Sequence, residues 1–151
     1  MAELLTPEIM SWIGKTDPPL TEEISRRDIR HYSVATDQRL EKYLNGDEAP
    51  PLFHSMFFRE IKRLEQLEAD GHVADTLLPP LPLKRVMAGG HETTFHRPIR
   101  PGDKLTATRR LAELIEKQGR TGPLILVIVE TEITAADGEK ILSERYTRIL
   151  R

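Results

Sequence analysis

The rhythm of apolar and polar positions changes about halfway along this chain, from helical spacing before Arg85 to strand-like runs after it. Thr6 followed by Pro7 and Glu8 reads as an N-cap with proline at the first helical position, which predicts a short helix carrying Ile9 and Trp12 and stopping at Gly14. Pro18 and Pro19 then predict an extended link. Ser25 with Asp28 three residues on is a looser form of the capping box, and Ile29, Tyr32, Val34 and Ala35 follow at roughly helical spacing. A helix is expected from Ser25 to about Thr36. Beyond the turn-rich stretch Asn45 to Pro51, Met56, Phe57, Ile61, Leu64 and Leu67 recur at three- and four-residue steps among charged residues. They predict a further amphipathic helix ending near Asp70 and Gly71.

The segment Leu78 to Leu83 holds Pro79, Pro80 and Pro82, each lacking a backbone donor, and is expected to be an extended connector. From Arg85 four β-rich runs follow, Val86 to His96, Lys104 to Glu116, Leu124 to Thr134 and Lys140 to Leu150, separated by short Gly-, Pro- and Asp-containing turns. Such short connections favour antiparallel neighbours, because a parallel crossover needs a dozen or more residues. The run Leu124 to Val129 is apolar on both faces, as a central strand is, whereas the last run mixes Ile141, Leu142, Tyr146 and Leu150 with charges. The fold class expected is α+β, with one face of an antiparallel sheet covered by a helix and the other open to a partner.

At 151 residues the chain has the size of one domain, taken as 1–151. With 22 basic and 24 acidic residues and a net charge of −2, bulk electrostatics do not point to nucleic acid or to an anionic membrane. The absence of cysteine excludes a disulfide framework, a Cys-ligated zinc and a thiol nucleophile. Met1 to Trp12 carries Glu3 and Glu8 among its apolar residues, so no signal peptide is expected, and a soluble cytoplasmic protein is the plain reading. The five histidines lack the spacing of a zinc site, and no metal is expected.

Phe95 to Asp103, reading FHRPIRPGD, together with Glu116 to Leu124 and a closing strand after Asp137 and Gly138, resembles the N-terminal half-domain of the MaoC-like dehydratases, over nearly the whole chain. Trp12 to Gly14, Pro50 to Leu52, Leu78 to Leu83 and Ala88 to Gly90 are most similar to the itaconyl-CoA or mesaconyl-C4-CoA hydratase branch. The resemblance implies a hot-dog fold, a curved antiparallel sheet wrapped around a helix and paired with a second hot-dog. It also implies an acyl-CoA or acyl-carrier-protein thioester as substrate, with no separate cofactor.

Hydration of an enoyl thioester needs a base to activate water, a proton for the α-carbon and donors for the thioester oxygen. In the active half of the family these come from an Asp, an Asn two residues on, a Pro, and a His five residues after the Asp, placed after a helix resembling Ile29 to Thr36. Here Asp37 stands in the acid position, but Arg39 lies two residues on, in place of the Asn, and Lys42 five on, in place of the His. The expectation is a half-site whose Asp and His come from a partner hot-dog subunit, Asp37 being the one weak catalytic candidate.

Gly89 and Gly90 beside His91 allow a ligand to approach the backbone closely, and equally mark a bulge with His91 hydrogen-bonded in the sheet. Arg109, Arg110, Lys117 and Arg120 suit a CoA phosphate or a solvated strand face, with Arg109 and Arg120 taken as substrate-binding candidates. His96 reads as structural, His31 as facing solvent or a subunit boundary, and His54 and His72 as uninformative. Phe53, Phe57, Ile61 and Leu64 would wall an acyl tunnel or form core. Two rival functions stay open: a homodimeric thioesterase using Asp37 or Glu92, and a non-catalytic acyl-binding subunit.

Overall fold

The computed structural model describes residues 4–151; Met1 to Glu3, part of the segment read above for a signal peptide, lie outside them. Thr6 caps helix α1 (Pro7–Met10) by accepting a hydrogen bond from the Ile9 amide, and α1 contributes Ile9 to the core. The extended link after Pro19 becomes a strand, β1 (Leu20–Glu23), which pairs with β3 (Lys104–Gly119). Ser25 caps α2 (Arg26–Ala35) through the Asp28 amide, as its spacing predicts, and Ile29 on that helix is fully buried. Two single-turn helices follow, α3 (Glu41–Leu44) and α4 (Phe53–Phe57).

The expected helix through Ile61, Leu64 and Leu67 does not form. Phe58 leaves the helical region at φ −85° and ψ 62°, only Leu64–Gln66 makes a 3₁₀ turn, and Ile61 and Leu64 are 94% and 86% exposed. Helical periodicity stabilises a helix only where a surface opposes the apolar stripe, and a short helix without one is marginal. Phe53 and Phe57 do find that surface: their rings stack 4.9 Å apart, and Phe53 is buried with Ile24, Ile29, Leu105 and Ile133.

β2 (Val86–Phe95), β3, β4 (Gly122–Ala135) and β5 (Lys140–Leu150) match the four expected runs to within a few residues. The sheet order is β1-β3-β4-β5-β2, every pairing antiparallel, with β4 central as its doubly apolar sequence implied. Side chains alternate between faces along each strand, so the register decides which residues share a face. Two apolar clusters occupy the inner face of the sheet. One gathers Leu5, Ile9, Leu77, Leu111, Val127 and Leu150, and the other Ile29, Phe53, Leu105, Ile133 and Leu142. Between them runs a cross-strand row that is polar throughout: Arg109 opposite Thr131, Thr131 opposite Glu144, Glu144 opposite Thr93.

The residues of the FHRPIRPGD segment fasten the entry to β3. Arg97 reaches Asp103 through two guanidinium nitrogens, at 2.8 and 3.1 Å, and Glu139 through Nε at 2.9 Å. Asp103 in turn accepts from the Arg100 amide across the turn, where Gly102 takes φ +89°. A bidentate, partly buried pair of this kind fixes geometry as well as adding energy. The most recognisable stretch of the sequence is thus a structural clasp. Among the described residues no helix is long and apolar enough to cross a membrane.

Candidate functional site

The polar row is completed by two imidazoles that converge on Glu144. His54, on α4, places Nε2 at 2.9 Å from Glu144 Oε2; His91, on β2, places Nδ1 at 3.1 Å from the same oxygen; Thr93 donates its hydroxyl to it at 3.2 Å. His54 and Glu144 are 3% and 7% exposed, while His91 is 40% exposed at the edge of the sheet. Burial pushes the Glu144 carboxyl up, but the hydrogen bonds and charge of His54, and then of His91, outweigh it and hold the group at about 2. The carboxylate is therefore ionised and acts only as an acceptor. Among the described residues no group of side chains is arranged to hold a metal ion, and here both imidazoles are spent on one carboxylate oxygen.

A β-bulge aims His91 at this cluster. The register shifts between Ala88 and Gly90, so that Gly90 pairs with Thr147 and His91 with Tyr146. Without the extra residue His91 would fall on the outer face of the strand, away from Glu144. Gly89 and Gly90 make the bulge possible. A Cβ on Gly89 would lie 2.9 Å from the Thr147 carbonyl oxygen, and Gly90 adopts φ +147°, which side chains other than glycine's rarely allow. The His91 ring then stacks on Tyr146, centroids 4.4 Å apart and planes inclined by 21°. The bulge reading of the glycine pair is realised, with His91 hydrogen-bonded to Glu144 and 40% exposed.

Asp37 stands apart from all this. It sits after α2 at φ +51°, 85% exposed, with only Arg39, among the described residues, within salt-bridge reach at 3.3 Å, and Lys42 is engaged by Glu48 at 2.9 Å. Glu92, the other acid considered for thioester hydrolysis, is exposed and opposite Arg145, on the face of β2 opposite to His91. His31, His72 and His96 are exposed.

Arg109 and Arg120 do not come together. Ten positions of extended β3 and one step into the turn separate them, roughly 35 Å at the rise of a strand, so one phosphate cannot meet both. Arg109 is held by Asp17 at 2.8 Å and Asp75 at 3.6 Å, Asp75 also pairing with Arg148. The Asp75 carboxyl is pushed up by burial and pulled further down by Arg148, by the Leu77 amide and by Arg109, for a net lowering. Arg120 is exposed at the β3–β4 turn, beside a shallow hollow of about 450 Å³ bordered by Arg85, Thr121, Pro123 and Arg151. That hollow contains no imidazole or side-chain carboxylate, so size does not make it the site.

Sequence reasoning passed over His54 and Glu144. Glu144 had a signal: it occupies an inward position in the alternation Leu142, Glu144, Tyr146, where a lone charge on an apolar face requires a partner. His54, in a short irregular stretch, had none.

The family model for the FAS1-like, dehydratase domain region matches residues 11–144. A mesaconyl-C(4)-CoA hydratase of Chloroflexus aurantiacus is 31% identical over 129 residues, covering 82% of this chain and 44% of that protein; the chain thus spans less than half of its relative's length. Two solved assemblies of Mycobacterium tuberculosis share the fold. The ChsH1-ChsH2 complex superposes with a TM-score of 0.70 at 17% identity, covering 95% of this chain and 86% of that chain. The C-terminally truncated HadBC complex, a (3R)-hydroxyacyl-ACP dehydratase, superposes with a TM-score of 0.64 at 17% identity, covering 91% and 96%.

Proposed function

This chain belongs to the family of FAS1-like dehydratase domains, MaoC-like proteins of the hot-dog fold, and on that premise we propose that it is one half of a heteromeric hydratase for an enoyl thioester. It binds the acyl group, and a partner hot-dog subunit brings the Asp and His that activate water. The acyl group is short or dicarboxylic, of the mesaconyl or itaconyl kind, and is carried by CoA.

The observation that carries this reading is the state of Asp37. A general base must lie within hydrogen-bond reach of the group it activates or of its imidazole partner. Asp37 faces solvent, pairs with Arg39, and has no histidine beside it among the described residues. Support comes also from the mesaconyl-C(4)-CoA hydratase, in which this chain accounts for 44% of the length and leaves room for a second domain. The strand β2 forms one border of the sheet, with no strand on its far side among the described residues, and such a border accepts a further strand by main-chain hydrogen bonding.

The test is to give the purified chain mesaconyl-C4-CoA, crotonyl-CoA and a saturated acyl-CoA, alone and with a MaoC-type hot-dog partner from the same source, following loss of conjugation and release of thiol. Loss of conjugation only in the presence of the partner is the expected result. Hydration by the chain alone would refute the half-site reading, and thiol release would favour the thioesterase.

A further inference from the structure

We propose that His91, held in a single tautomer by Glu144, is a ligand-contacting hydrogen-bond acceptor that makes this chain prefer a hydroxylated acyl thioester to an unsaturated one. The inference rests on the acyl-thioester reading above, which names a ligand class but no residue that tells the two sides of the reaction apart.

The chemistry follows from one oxygen. An ionised carboxylate has no hydrogen to give, so each neutral group bound to Glu144 Oε2 must donate: the Thr93 hydroxyl, His54 Nε2 and His91 Nδ1. A neutral His91 with its proton on Nδ1 carries a lone pair on Nε2. That nitrogen has no hydrogen-bond partner among the described residues, and the side chain is partly open to solvent at the border strand. Stacking on Tyr146 and the bulge at Gly89 and Gly90 fix where the ring lies, so the lone pair is presented in one direction. Glu144 and His54 are positioning residues; His91 is the group that meets the ligand.

A lone pair aimed at a ligand discriminates by what the ligand offers. The hydroxyl of a 3-hydroxyacyl group donates to it. The carbon–carbon double bond of an enoyl group has no donor, and a thioester carbonyl oxygen set against the lone pair repels it. One neutral hydrogen bond at a half-exposed site corresponds to roughly a tenfold difference in affinity.

Calorimetric titration with 3-hydroxybutyryl-CoA, crotonyl-CoA and butyryl-CoA, in mildly alkaline buffer, tests this directly. The hydroxylated ester should bind about tenfold more tightly than the other two. His91→Phe, which keeps the stack on Tyr146, should bring all three to a common affinity. Nitrogen-15 shifts of the His91 imidazole supply a readout that does not depend on any variant folding. They should report a proton on Nδ1 in the native chain, and Glu144→Leu, which removes the acceptor, should move it towards Nε2. Equal affinities in the native chain, a preference that survives His91→Phe, or a native His91 protonated on Nε2 would overturn the inference and leave the half-site reading standing. Failure of all three esters to bind would remove the acyl-thioester reading itself, and this inference with it.

Discussion

Glu144 and His54 are separated by ninety residues, yet their Oε2 and Nε2 atoms lie 2.9 Å apart, with both side chains almost fully enclosed. A charge so enclosed is tolerated only when partners replace the water it has lost. The short helix α4 delivers one such partner from above the sheet, and the bulged strand β2 delivers the second from beside it. The folding of two unrelated segments thus determines whether this carboxylate is a stabilising group or a liability.

Acid should reveal that dependence. Glu144 titrates at about 2 in the folded chain against an ordinary 4.5, so the unfolded chain holds the proton more tightly. Its contribution, on the order of 3 kcal/mol, is complete above pH 4.5 and is withdrawn as the pH falls from 4.5 through 2. Urea denaturation across that window should show a weaker acid dependence in Glu144→Gln than in the native chain. Parallel slopes would mean that Glu144 is not held down by its histidines.

The bulge makes its own prediction. Gly89→Ala places a methyl group 2.9 Å from a backbone carbonyl and about 3.0 Å from Ile149 Cγ1, so the strand must move. A loss of about 1–3 kcal/mol is expected from overpacking of this kind. It should be accompanied by loss of the His91–Glu144 hydrogen bond, read from the imidazole nitrogen shifts. A variant of native stability with unchanged shifts would show that the register does not depend on glycine there.

Arg109 and Arg120 should separate cleanly. Replacing Arg109 with alanine strips Asp17 of its guanidinium partner and weakens the hold on Asp75, at a cost of about 1–3 kcal/mol in thermal or chemical unfolding. Arg120→Ala, at an exposed turn, should stay within about 0.5 kcal/mol of the native chain. Equal effects of the two substitutions would contradict the ion-pair network.

Ile61→Ser and Leu64→Ser test the missing helix. Both side chains project into solvent, so each change should alter stability by less than about 0.5 kcal/mol. A loss of about 2–5 kcal/mol, the range for emptying a buried aliphatic position, would place them in a core instead.

Local signals settled much of the architecture because each acts over a few residues. Ser25 caps a helix through an amide three positions on, Pro7 opens one, and the turn at Gly138 joins the neighbouring strands β4 and β5, all with no knowledge of the rest of the chain. The equally short turn at Gly102, expected to join neighbours too, links β2 and β3, which do not pair, because β2 lies beyond β5. The same locality led the reading astray at Ile61 and Leu64, where periodicity is present but both side chains are left exposed. It also made Arg109 and Arg120 look like neighbours, when an extended strand keeps them far apart.

By itself, the order of amino acids determined the family resemblance carried by Phe95 to Asp103, the four strands, and a lysine rather than a histidine five residues after Asp37. Only the tertiary structure decided that His54, His91 and Thr93 meet on one oxygen of Glu144. The physical reason is that a hydrogen bond is specified by distances of about 3 Å. Those distances arise here from strand register, a one-residue bulge and the docking of a single-turn helix, none of which can be read from the spacing of residues along the chain.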